Sequence, residues 1–224
     1  MQSPSGRGKR FLDVGCGFGY LLDVAQDSGF EVAGVEFNPS AVEHARQKYV
    51  FPLFQGDFLD FTDDQPFDAV SMMDVIEHFI DPHEALAKAS QLLAPGGILA
   101  ISTMDSDSFV SRLLGTALED FRRVREHVSF FTRKSIRRFL EHYGFDVLDI
   151  RYHGHTFRYD FLVDRIKLVS PTVGAMAGAV VKCLFLGKRH ININPRTKIL
   201  VFARKRADDE VSHQSGSYES DESR

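Results

Sequence analysis

Tryptophan is missing from this chain of 224 residues, and cysteine is nearly so, with Cys16 and Cys183 far apart. Two isolated cysteines exclude a disulfide framework and a cysteine-built zinc site, and suit a reducing compartment. Long apolar runs are also lacking. The most apolar stretch, residues 168–186, is broken by Ser170, Pro171, Thr172 and Lys182, short of the ~20 residues a spanning helix needs. No apolar segment follows the polar, basic first ten residues, so no signal peptide is expected and the chain reads as cytoplasmic. Internal repeats are absent.

Charge is present but segregated. Residues 1–100 carry 6 basic and 15 acidic side chains, a net of −9; residues 101–206 carry 20 and 10, a net of +10. Residues 207–224 hold 1 basic and 6 acidic side chains with almost nothing apolar, the composition of a disordered acidic tail. Solvated faces explain most of this pattern. The alternative is that the basic middle section meets an anionic substrate or surface.

Short apolar runs alternate with amphipathic helical stretches, the pattern of a parallel sheet covered on both faces. Strands are predicted at 9–14, 31–35, 52–55, 67–72, 98–103, 145–151 and 197–204. Helices are predicted at 18–28, from Asn38-Pro39, at 82–93 up to Pro95-Gly96-Gly97, and from Thr132 to Gly144. Residues 104–131 form an excursion over the site, and about 157–190 a helical insertion before the last strand. Within that insertion Gly174 and Gly178 have a spacing that lets helices approach closely. Residues 161–190 either pack as a helical insertion or touch a membrane surface. The whole is read as one domain, 1–206, followed by the tail.

The first strand ends in Asp13-Val14-Gly15-Cys16-Gly17-Phe18-Gly19 and runs into a helix, which is a nucleotide-binding turn. Glu36, at the tip of the second strand about 20 residues on, is placed for two ribose hydroxyls. A dinucleotide fingerprint needs its third glycine at position 20, which is Tyr20; the observed one is Gly19. Asp13 would repel a pyrophosphate but suits a methionine amino group.

These residues, with Val35-Glu36-Phe37-Asn38, Gly56-Asp57-Phe58, Phe67-Asp68-Ala69-Val70 and Leu93-Ala94-Pro95-Gly96-Gly97, resemble the ordered motifs of class I S-adenosylmethionine-dependent methyltransferases. The likeness covers 10–103 and continues more weakly through Glu126-His127-Val128-Ser129 to Ile150. That part looks like the branch of ubiquinone-biosynthesis-type and other small-molecule O-methyltransferases. The resemblance implies a Rossmann-like, doubly wound, seven-stranded α/β sheet with its last strand antiparallel. It implies that Gly15, Gly17 and Gly19, with Cys16 between them, line the methionine portion of S-adenosyl-L-methionine. Glu36 would bind the ribose, Phe37 and Phe58 flank the adenine, Asp57 accept from its amino group, and Met73 touch the cofactor through its backbone. Such enzymes carry helices before the first strand. Here about nine residues precede it: either the chain is trimmed, or cover comes from the excursion, the insertion or a partner subunit.

Methyl transfer is an in-line displacement, and a base is needed only for a poorly ionised acceptor. His127, beside a basic neighbourhood that includes Arg112, Arg133 and Arg137, is the candidate base; the alternative is a structural histidine. Asp74, Glu77 and His78 fall at i, i+3 and i+4 of an expected helix. Related patterns bind a divalent metal in some branches, but a capping or pocket-wall role is favoured here and no metal is assigned. The expected acceptor is a small metabolite, anionic or lipid-linked, methylated on oxygen before nitrogen or carbon. Nucleic acid is disfavoured, since no base-stacking motif is present. An RNA methyltransferase and a non-catalytic cofactor-binding subunit are the alternatives.

Overall fold

The computed structural model describes residues 8–114, 128–184 and 186–207. Its centre is a seven-stranded sheet of order β3-β2-β1-β4-β5-β7-β6. The strands are β1 Arg10–Val14, β2 Glu31–Glu36, β3 Leu53–Gln55, β4 Phe67–Met73, β5 Leu93–Met104, β6 Phe145–Arg158 and β7 His190–Lys205. β1 to β5 pair in parallel, and β7 runs antiparallel to both β5 and β6. This is the doubly wound sheet with an antiparallel last strand that the motifs imply.

Helices α1 Tyr20–Asp27, α2 Pro39–Lys48, α3 Pro82–Leu92, α4 Phe109–Leu114 and α5 Arg133–His142 accompany the sheet. α1 starts two residues later than predicted, because Gly19 is left-handed at φ 80° and ends the turn before helical backbone begins. Asn38 caps α2 by accepting from the Ser40 amide at 2.9 Å, with Pro39 at the first helical position. Thr132 caps α5 by accepting from the Ser135 amide. α5 lays Ile136 and Leu140 into the main core beside Phe67, Leu99, Phe145 and Val201.

Three strands differ from expectation. β5 begins at Leu93, not 98: Leu93 pairs Phe67 and Ile98 pairs Ala69, so Pro95-Gly96-Gly97 form an irregularity within the strand rather than a gap before it. β6 and β7 are longer than predicted. Beyond Lys198, where β5 stops pairing, they continue as a two-stranded ribbon through Arg158↔His190. The insertion is therefore a helical hairpin on a ribbon, with α6 Tyr159–Val169 and α7 Pro171–Cys183. Gly174 and Gly178 face α6: a Cβ on Gly174 would stand 2.6 Å from the Lys167 backbone, and one on Gly178 3.2 Å from Val163. Among the described residues no helix is long and apolar enough to cross a membrane. The acidic tail from 208 onward and the middle of the excursion, 115–127, lie outside the described residues.

Candidate active site

The chain leaves β1 to one side toward β2 and later returns to the other as β4, so a crevice opens above the carboxyl ends of these strands. The crevice encloses about 470 Å³, within the range of small-molecule sites. Val14, Val35, Phe58 and Phe79 make apolar walls, and Glu36, Asp57 and Asp74 contribute carboxylates. Of the expected cofactor residues, Gly15, Glu36, Phe37, Asp57, Phe58 and Met73 line it together.

The glycine turn is clamped onto β2. The amides of Gly15 and Cys16 both donate to the Val35 carbonyl, at 2.8 and 3.1 Å. Gly15 has φ 70°, and a Cβ there would sit 2.4 Å from Val75 Cγ2, so only glycine keeps the turn this close to the loop after β4. Glu36 accepts from the Gly17 amide on one oxygen, at 2.8 Å, and from the Asn38 amide on the other, at 2.7 Å. Phe37 follows with its ring 76% exposed at the lip. Asp57 accepts from the Leu59 amide through Oδ1, capping the short turn Phe58–Asp60.

Asp13 differs from expectation. It does not line the crevice but is 3% exposed within β1, where its carboxylate accepts from the Ser71 hydroxyl at 2.5 Å. Burial pushes its pKa up to about 7, against the Ser71 hydrogen bond and with help from the Glu36 charge. Cys16 is also buried, packed with Leu22, Val32 and Phe51, and burial pushes its thiol up to about 12. Gly17 and Gly19 shape the turn without lining the crevice.

Asp74, Glu77 and His78 do not share a helical face. Only Ile76–His78 forms a single 3-10 turn, and Asp74 precedes it in left-handed backbone at φ 56°. Asp74 instead accepts from Ser102 Oγ at 2.8 Å and pairs with Lys198 Nζ. Burial by itself would raise the Asp74 pKa, but the Lys198 ammonium and these hydrogen bonds hold it below the usual carboxylate value. Ser102 Oγ also meets His153 Nε2 at 3.0 Å. A polar row thus crosses β4, β5, β7 and β6 beside the crevice, and sequence reasoning missed Ser102, His153 and Lys198 entirely. Glu77 is buried, which raises its pKa; its Oε2 has no hydrogen-bond partner among the described residues. No group of three His, Cys, Asp or Glu among the described residues is arranged to hold a metal.

His127, the candidate base, lies outside the described residues. The next residues are tethered at the site: the amides of Val128 and Ser129 donate to the Glu77 carbonyl, at 2.8 and 3.3 Å.

The crevice suits S-adenosylmethionine better than a nucleotide phosphate. Three carboxylates line it, with no Lys or Arg among the described residues, which favours a cationic sulfonium and disfavours a phosphate. The apolar walls fit an adenine ring.

Known proteins agree with this reading. The model of a methyltransferase domain family matches residues 2–150. The ubiquinone biosynthesis O-methyltransferase of Coxiella burnetii is 28% identical over 177 residues, covering 71% of this chain and 73% of that protein. The protein of the same name from Xanthomonas campestris pv. campestris is 36% identical over 105 residues, 44% of each chain. Among solved structures, a SAM-dependent methyltransferase from Archaeoglobus fulgidus superposes with a TM-score of 0.59 at 20% identity, covering 88% of this chain and 86% of that one. Phosphoethanolamine N-methyltransferase 2 of Haemonchus contortus, solved with S-adenosyl-L-methionine, gives 0.58 at 21% identity over 92% of this chain and 50% of that one. The sheet order and the crevice define a class I S-adenosylmethionine-dependent methyltransferase. The chain belongs to the methyltransferase domain family.

Proposed function

We propose that this enzyme methylates an oxygen atom of a small acceptor that is anionic or lipid-linked. One observation carries the donor side: the crevice joins three carboxylates to apolar walls, and among the described residues no Lys or Arg lines it. The acceptor side rests on the resemblance to enzymes named for ubiquinone biosynthesis and on the net charge of +10 in residues 101–206. Glu36 is assigned the ribose hydroxyls, since the Gly17 and Asn38 amides already fix its orientation. Phe37 and Phe58 flank the adenine, and Asp57 accepts from its amino group through the oxygen not used by Leu59. Gly15 and Met73 present backbone to the methionine portion.

When bound, S-adenosylmethionine supplies an activated methyl group that needs no further polarisation. The protein's task is alignment and exclusion of water. The polar row at Asp74, Ser102 and His153 borders the acceptor side, and His127 takes the acceptor hydroxyl proton. The hydrogen bonds from Val128 and Ser129 to Glu77 support this role, because they fix the chain next to His127 at the crevice.

A methyl-transfer screen of the full chain against phenolic, carboxylated and lipid-linked acceptors tests the proposal. Product with the methyl on oxygen is expected. Methylation of nitrogen or carbon only would overturn it, as would failure to bind S-adenosylmethionine at millimolar concentration. Replacing His127 with Gln should lower turnover about 100-fold or more at saturating cofactor; unchanged turnover would remove its role as base.

A further inference from the structure

The helical hairpin is not used by any of this chemistry. α7 turns Gly174 and Gly178 toward α6. On its other side Val173, Met176, Val180 and Leu184 recur at helical spacing, 55, 72, 57 and 60% exposed. Phe161 and Ile166 of α6 are exposed as well. From 168 to 181 no residue is charged. In composition the hairpin is cationic. Residues 159–189 hold Arg165, Lys167, Lys182, Lys188 and Arg189 against Asp160 and Asp164, although the chain as a whole is at −4.

Direction matters too. β6 is antiparallel to β7, and β7 to β5, so β6 runs parallel to β5 and β4. Its far end at Arg158 therefore leaves the sheet on the edge where β1 and β4 end at the crevice. The ribbon carries the hairpin beyond that edge.

We infer that α6 and α7 form a docking surface for an anionic membrane, with the α7 stripe entering the interface and the exposed Lys182, Lys188 and Arg189 meeting acidic headgroups. An apolar helix face with basic flanks and no spanning length is the form of an interfacial segment. A second copy of the chain would cover the stripe equally well but would gain nothing from the like charges of the hairpin. The membrane answers both features. Docking in this way turns the active-site edge toward the bilayer and delivers a lipid-linked acceptor to it. That last step rests on the acceptor proposed above, whereas membrane binding stands on the hairpin alone.

Co-sedimentation of the full chain with phosphatidylcholine vesicles, with and without phosphatidylglycerol, tests this. Binding to the phosphatidylglycerol vesicles is expected, weakening as salt rises and nearly absent on phosphatidylcholine alone. The double variant Met176→Glu, Val180→Glu should partition at least about tenfold less, while calorimetry shows its S-adenosylmethionine affinity unchanged. Three results overturn the inference. They are no sedimentation with either vesicle, undiminished binding by the double variant, and a wild-type dimer in light scattering that the double variant dissolves. If vesicles bind but no lipid-linked acceptor is methylated, the acceptor reading fails and the docking surface remains.

Discussion

The Gly17 amide donates to Glu36 at 2.8 Å, so the acid at the tip of β2 holds the glycine turn of β1 in place before any ligand arrives. With Asn38 on its second oxygen, Glu36 is both a scaffold for the turn and the proposed ribose ligand. Glu36→Gln leaves one of these amides facing an NH₂ group and removes the charge. Charge-assisted hydrogen bonds contribute about 1.5–3 kcal/mol, so affinity for S-adenosylmethionine should fall roughly 10- to 100-fold by calorimetry. A change below about threefold would show that the ribose lies elsewhere.

Asp13 gives the fold a pH dependence unlike that of a paired surface acid. Its carboxyl titrates at 3.8 in ordinary surroundings and at about 7 when buried here. The folded state therefore holds the proton more tightly, and stability from this group is complete below pH 3.8 and drains away as the pH rises through about 7. The gap in pKa corresponds to roughly 4 kcal/mol as an upper figure. Asp13→Asn stays neutral throughout. Its melting temperature relative to wild type should climb between pH 4 and pH 8, and parallel curves would place the ionised carboxylate in a better-solvated site than the structure shows.

Lys198 and Asp74 are joined across 124 positions of sequence. Lys198→Met leaves the half-buried Asp74 carboxylate without its cation. A fully buried pair broken in this way costs about 3–5 kcal/mol. The Asp74 side chain keeps 40% of its surface in water, which reduces the expected loss to about 1–2 kcal/mol. Because the Asp74 pKa is lowered on folding, the pair stabilises above the unfolded value of 3.8 and stops doing so as the pH falls through the folded one. Denaturation curves of Lys198→Met and wild type should thus converge in acid. A constant gap would assign the loss to packing of the lysine stem.

The contrast between Glu36 and Lys198 shows why half of the site was readable and half was not. Gly15, Glu36, Asp57 and Met73 each sit where a strand ends, and strand ends are marked locally by glycine, by charge or by the close of an apolar run. The row of Asp74, Ser102, His153 and Lys198 depends on register between β5, β7 and β6. Alternation assigns faces to a strand but does not say which residue stands opposite which. The ribbon was missed for a related reason. Outside the sheet neither face is buried, so His153-Gly154-His155 and Asn192-Ile193-Asn194-Pro195 lack the alternation that marks a strand. A charged i, i+3, i+4 pattern suggests a helix at Asp74, whereas left-handed backbone at that position ends the regular structure.

Gly174 shows what the hairpin requires. It is buried, and a Cβ placed on it would lie 2.6 Å from both N and Cα of Lys167. Those are backbone atoms of α6 and cannot rotate aside, so Gly174→Ala must push the two helices apart. Gly178→Ala meets Val163 Cγ1 at 3.2 Å and Lys167 Cε at 4.0 Å, and a small shift of the Val163 side chain absorbs it. In a free helix alanine is the better former by about 1 kcal/mol, so propensity predicts that both substitutions stabilise α7. Packing predicts the opposite for Gly174 alone. Hydrogen exchange should show faster amide exchange across Tyr159–Val169 and Pro171–Cys183 in Gly174→Ala and little change in Gly178→Ala. Amides of β1 and β4 should be unaffected in both, because the hairpin joins the sheet through the ribbon of β6 and β7. Equal protection in the two variants would mean that α6 and α7 do not meet at Gly174.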